Sequence, residues 1–320
     1  MYIRLGYAAM SSELHNASPS KTMTYAQFSR LKNREAALLK LERIALENIR
    51  NCLRLLKHNA WSEIHFFRFS SRLVPLANHP ELKDWDFMTP LLPEFADVSR
   101  FLSKHPMRTD FHPDHFVLMN SSKPEILKNA LQTLKMHRDM LKAMGINEEH
   151  RCVLHTGGAH KDKDKALEQF IHNWGFVPHS LQKLIMLEND DSAFHAKDVL
   201  YLCEKLGIPF VFDYHHHLAH HESPEWEEDW LRGLETWKHS SLPVKMHISS
   251  PRSEKEFRAH SDFVDPQMFA DFLNGVKGSA SHIDCMVEAK QKDGALFRLM
   301  EDLKSESSFE KVDGSSFYWK

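Results

Sequence analysis

The chain is poor in the features that announce several common activities. It holds only four cysteines, at positions 52, 152, 203 and 285. They are far apart and form no CxxC pair, so a disulfide framework or a thiolate metal site has no footing, and buried reduced thiols are expected. A glycine-rich phosphate turn is also missing. The first strand candidate, from Tyr2 to Tyr7, runs into Ala8-Ala9-Met10, which lacks the glycines a doubly wound nucleotide-binding sheet places there. No nucleotide cofactor is therefore expected. No apolar run reaches the roughly 18 residues of a membrane span. The opening MYIRLGYAAM is too short for a signal peptide and reads as a strand, which makes a reducing cytoplasm the expected location. Charge of one sign is lacking too: 41 Lys and Arg face 44 Asp and Glu, for a formal net charge of −3. That balance excludes a generally basic coat, and a polyanionic partner would need a local basic groove or bound metal ions. No Pro/Gly/Ser linker divides the chain.

What is present is a repeated alternation of short apolar runs and helical patterns. Strand candidates centre near residues 3, 65, 109, 153, 185, 210, 245 and 285. Between them lie helical stretches of crossover length. In residues 31–58, for example, Leu38, Leu41, Ile44, Ala45, Ile49, Cys52, Leu53 and Leu56 recur at steps of three and four, the spacing of one helix face. Eight such units predict a single (β/α)8 TIM barrel over residues 1–304, with strands buried under helices. Residues 305–320 turn polar and are read as a short C-terminal extension.

The strand ends carry the chemistry. Reading forward, they deliver His112, His155, Glu188, Asp213, His247 and Glu288, with His216 and His260 in the loops just beyond. A carboxylate directly after an apolar strand, as at Glu188 and Asp213, needs a counter-ion, a metal or hydrogen bonds. Recurrence of such donors at the C-terminal ends of barrel strands points to one shared metal site. Lys245 has period-two spacing with His247 and faces the same side of its strand. Eight nitrogen and oxygen donors exceed the needs of one ion. They suit two or three divalent ions, Mn2+ foremost with Zn2+ or Mg2+ as alternatives, and glutamates such as Glu188 and Glu288 can bridge them. Ions close together can activate a water, neutralise a phosphodiester and stabilise a leaving oxygen.

These motifs, in order, resemble the ultraviolet damage endonuclease family, UvdE/UvsE. The resemblance spans about residues 1–293 and rests on IRLGY, FFRFSSRLVPLANHP, FHPDHF, VLHTGGA, LENDD, VFDYHHH, VKMHISS, AHSDFVD and MVEAK. The related endonuclease IV group shares the barrel plan but not this whole string. The resemblance implies a DNA-repair endonuclease that cuts immediately 5′ to ultraviolet photoproducts, leaving a 3′-hydroxyl and a 5′-phosphate. It implies one ion on His112, His155, Glu188 and Glu288, a second on Glu188, Glu288, Asp213 and His247, and a third on His216 and His260. Glu188, Glu288, Lys245 and Asp213 are the expected catalytic groups, Lys245 matching a lysine that can be carboxylated. His115 and Phe116 match side chains that probe the lesion, and Tyr7 a tyrosine at the site. Arg68, Arg252 and Arg258 are expected to contact DNA phosphates. The implied partner is ultraviolet-damaged double-stranded DNA, met by a monomer at the nucleoid, with no membrane. The rival readings are an abasic-site endonuclease, a metal-dependent sugar isomerase, and a damage-binding protein that never incises.

Overall fold

The computed structural model describes residues 1–159 and 162–320. Eight parallel strands close on themselves: β1 (Tyr2–Ala8), β2 (Phe66–Phe69), β3 (Arg108–Phe111), β4 (Cys152–His155), β5 (Ile185–Glu188), β6 (Phe210–Asp213), β7 (Val244–Ile248) and β8 (His282–Val287). Each pairs with the next, and β1 closes the ring by pairing with both β8 and β2. The predicted (β/α)8 barrel is the observed fold.

Helices wrap the barrel in chain order. They are α1 (Tyr25–Ser29), α2 (Arg34–Trp61), α3 (Met88–Lys104), α4 (Pro124–Ala143), α5 (Lys163–Trp174), α6 (His179–Gln182), α7 (Ala196–Leu206), α8 (Tyr214–Ala219), α9 (Glu227–Thr236), α10 (Pro266–Gly275) and α11 (Lys292–Asp302). The longest, α2, is started by Asn33, whose side chain accepts from the Ala36 amide, the bond that satisfies an otherwise unpaired first-turn donor. Its buried face carries Leu41, Ala45, Ile49, Cys52 and Leu56, so the helical period buries what it was read to bury. All four cysteines are free and buried.

The C-terminal stretch adds an antiparallel hairpin, β9 (Phe309–Lys311) and β10 (Ser316–Trp319). Strand β10 pairs with β1 at Tyr2, Ile3 and Arg4. Further along, β1 pairs with β2 through Tyr7 and Ala8. The hairpin thus occupies the lower half of the gap between β1 and β2, where the barrel strands diverge. Phe317 and Trp319 are buried there, and the Trp319 indole donates to Asn274 at 3.0 Å.

The barrel interior also holds charge. Near its N-terminal end, Arg4 donates twice to Asp284 and Arg108 donates once more, each at 2.7 Å. Burial alone would raise the Asp284 carboxyl, but the Arg108 guanidinium, with His282 and Arg4, holds it far below the usual carboxylate range. A buried acid is kept ionised in this way only by such compensation.

Candidate metal centre

Parallel strands present their C-terminal ends to one mouth, and the loops leaving them bend over it. Glu188, the last residue of β5, lies at the centre of the donor cluster. One carboxylate oxygen is 3.0 Å from His112 Nε2. The other is 3.1 Å from His247 Nδ1 and 3.3 Å from His216 Nδ1. His247 Nδ1 is also 3.3 Å from Glu288 and 3.9 Å from Asp213. The ring centroids of His112 and His155 are 5.0 Å apart, and those of His216 and His260 are 6.1 Å apart. His260 is held by a 2.6 Å contact from Nδ1 to the Glu288 carbonyl. The six donors read from the strand ends and the two from the loops beyond them, His216 and His260, therefore lie in one pool.

Two sets within it have ligand atoms close enough to share an ion: His112, His155 and Glu188, and Glu188, Asp213 and His247. Glu188 belongs to both, the position a bridging ligand must take. The electrostatics fit a cation. Among the described residues, Glu188 Oε1, Asp213 Oδ2, His155 Nδ1 and His247 Nδ1 are buried with no hydrogen-bond partner. Orphaned acceptors cost free energy, and here they face one another. Four carboxylates, the buried Glu188, Asp213 and Asp110 and the half-buried Glu288, meet the buried cations Arg68 and Lys245.

Burial raises the Asp213 carboxyl, with Glu188 and Glu288 adding to the rise. Burial would raise Glu188 as well, but the charges of His247 and His155, the bond to His112 and the nearness of His216 hold it well below its ordinary range. Burial pushes the His247 imidazole down to about 4, leaving a neutral donor at neutral pH. His216 goes the other way: Asp213 and Glu188 overcome its burial and raise it well above the ordinary value.

Several expected residues lie elsewhere. Tyr7 does not reach a DNA-facing surface. It is fully buried, its ring is 5.1 Å from Phe67, and its hydroxyl donates to Asn59 of α2 at 2.7 Å. The side chain points into the layer between barrel and helix, which corrects the expectation that it stands at the site. Arg68 is likewise no surface phosphate ligand. It lies within the donor pool, donating to Glu288 and sitting 2.6 Å from His247. Arg252 and Arg258 are exposed in the loop after β7, with Arg252 donating to Glu256 at 2.8 Å. Phe116 is 74% exposed, and its ring stacks 4.1 Å from His115.

Lys245 is completely buried and donates to Asp110 at 2.6 Å. Burial pushes its ammonium down to about 7, against the pull of Asp110. Asp110 was missed in the sequence, although it stands two residues before His112 and so faces the same side of β3.

A closed barrel that gathers imidazoles and carboxylates around surplus negative charge at its C-terminal mouth defines a divalent-metal enzyme of the TIM-barrel class. Comparison with known proteins narrows that class. The family model for UV-endonuclease UvdE matches residues 3–320, and the chain belongs to that family. It is 52% identical over 304 residues to a UV DNA damage endonuclease of Halalkalibacterium halodurans, covering 95% of this chain and 94% of that one. It is 41% identical to a UV DNA damage endonuclease of Bacillus pumilus over the full length of both. The crystal structure of SacUVDE superposes with a TM-score of 0.82 at 28% identity, covering 95% of this chain and 98% of that one. Endonuclease IV from Thermus thermophilus has a TM-score of 0.55 at 10% identity, covering 95% of this chain and 100% of that one, which is a likeness of fold.

Proposed function

We infer that this chain is a metal-dependent DNA-repair endonuclease. It hydrolyses the phosphodiester bond immediately 5′ to ultraviolet photoproducts and leaves a 3′-hydroxyl and a 5′-phosphate. The observation that carries the reading is Glu188, whose two oxygens face both donor sets. His112, His155, Asp213, His216, His247, His260 and Glu288 would complete the holding of two or three ions. Mn2+ suits this all-nitrogen and oxygen set, and Zn2+ or Mg2+ could replace it. When bound, such ions supply Lewis-acid charge at the phosphate and make water a stronger nucleophile.

The chain's own residues arrange the rest. Arg68 fixes Glu288 and His247 by donating toward both, and the Lys245–Asp110 pair anchors the floor beneath them. Phe116, exposed beside His115, stands ready to enter the gap left by an unstacked lesion, where unstacking costs less than in intact duplex. Arg252 and Arg258 offer phosphate contacts at the rim. A monomer contains every group required. Among the described residues, no helix is long and apolar enough to cross a membrane.

A duplex with one cyclobutane pyrimidine dimer, incubated with the chain and Mn2+, should be nicked once, immediately 5′ to the dimer, on the damaged strand. Equal nicking of the undamaged duplex would overturn lesion selectivity, and no nicking under any divalent ion would overturn the enzyme reading.

A further inference from the structure

The loop that leaves β8 carries a cation of its own. Glu288 directly follows the strand, and Ala289, Lys290 and Gln291 lead into α11, whose first residue is Lys292. The Lys292 backbone is left-handed, with φ at 53°. A lysine pays a steric cost there that a glycine would not. Strain of this kind persists only where the surroundings over-determine it, and it gathers at functional sites.

The surroundings here do over-determine it. The Lys290 amide donates to the Ser261 carbonyl at 3.0 Å, and the Gln291 amide to the Asp262 carbonyl at 3.1 Å. From the other side, the Ser12 hydroxyl donates to the Gln291 carbonyl at 2.7 Å. Asp293 is fully buried. Its carboxylate accepts from the Ser11 hydroxyl and from the Ser12 amide, the latter at 2.8 Å, and lies 2.9 Å from His58 Nε2. The loops after β1 and β7 thus grip the residues on both sides of Lys292.

None of these bonds takes its ammonium. The side chain is half-buried, yet among the described residues no hydrogen bond or ion pair holds the charge. Burial lowers its pKa, Glu288 opposes that shift and Arg68 adds to it. Both charges that act on it therefore belong to the donor pool. The buried cations of the pool are already engaged, Arg68 by Glu288 and Lys245 by Asp110. Ordering and partly desolvating a lysine with no partner is unfavourable. An anion brought to the pool would offset that cost.

We propose that Lys292 is a further catalytic residue, its ammonium donating to a non-bridging oxygen of the phosphodiester that is cut. This role rests on the endonuclease reading above, which brings a backbone phosphate to the mouth of the barrel. Lysine serves such a group as a point charge. Held in place before the substrate arrives, it neutralises charge on the phosphate and favours attack by water.

The test compares the full-length parent with Lys292→Gly, Lys292→Gln and Lys292→Arg on a duplex with one cyclobutane pyrimidine dimer, at saturating Mn2+. Melting temperature and bound metal are measured on each. Lys292→Gly suits the left-handed backbone, so its melting temperature should stay at or above the parent's. Its kcat should nevertheless fall at least about tenfold, the loss of one charge-assisted hydrogen bond, with bound metal unchanged. Lys292→Gln should fall alike, and Lys292→Arg, which keeps the charge, should recover part of the loss. Undiminished kcat in Lys292→Gly and Lys292→Gln overturns the proposal. So does a loss confined to KM, which reads as uniform binding of the duplex, or a loss that follows bound metal. A parent that does not incise refutes the endonuclease reading, and this role falls with it; an active parent with equally active variants refutes this role alone.

Discussion

At the scale of single residues, exposure separates side chains that can meet DNA from those that organise the site. Phe116 is 74% exposed, so removing its ring should leave stability within about 0.5 kcal/mol of the parent. Phe116→Ala is expected to lower the ratio of incision on dimer-containing over intact duplex while the melting temperature stays put; an unchanged ratio would reject the probing role. Glu188 is the opposite case, buried and shared between two donor sets. Glu188→Gln keeps the shape but removes the charge. Incision should fall by more than about a hundredfold, since even outer partners of metal ligands are worth up to that much, and elemental analysis should show less bound metal. Retained metal and activity would end the bridging assignment. The ligand series was legible because six of its donors stand at the ends of barrel strands, most of them apolar, where an acid or imidazole has little other business. Arg68 was not legible in the same way. FFRFSSR reads locally as a basic rim, and only the closure of β1 on β8 and β2 shows that Arg68 turns inward to Glu288. Tyr7 failed for a related reason: a strand buried on both faces gives no alternation to tell barrel mouth from helix layer.

At the scale of elements, the period of each segment predicted the barrel strands and main helices to within a few residues. The elements that escaped are the short ones. Helices α1, α6 and α8 are six residues or fewer, too short for a periodic face to register. The C-terminal hairpin escaped because its first strand has three residues, of which Glu310 and Lys311 are exposed. A signal was present, though, in the Asp313-Gly314 turn between two runs containing aromatics. The hairpin covers the part of β1 that β2 does not reach, so its anchoring residue should matter well beyond its own loop. Trp319 is 1% exposed, and Trp319→Ala is expected to cost about 3–5 kcal/mol, the range for truncating a buried aromatic side chain. Chemical denaturation measures this directly, and a loss within about 0.5 kcal/mol, the size of a surface effect, would show the hairpin to be dispensable.

At the scale of the whole molecule, the barrel is threaded by charge along its axis, from Arg4, Asp284 and Arg108 at one end, through Lys245 and Asp110, to Arg68 and Glu288 at the other. The near-neutral composition conceals this column, because net charge reports a sum and not a placement. The column makes stability depend on pH with a definite sign. Asp284 has a depressed carboxyl in the fold, against about 3.9 when unfolded. Its contribution is therefore fully present above that unfolded value and is lost as pH falls through the lower folded one. At neutral pH, Asp284→Asn leaves the buried arginine Arg108 and its neighbour Arg4 without their shared carboxylate, an imbalance worth about 3–5 kcal/mol. Below pH of roughly 4 the native carboxylate itself begins to lose its advantage. The denaturant midpoints of native and Asp284→Asn chains should accordingly lie far apart at pH 7 and draw together as the solution is acidified. A gap that stays constant from pH 7 down to pH of about 3, below the unfolded value, would mean that packing of the asparagine, and not lost charge, sets the difference.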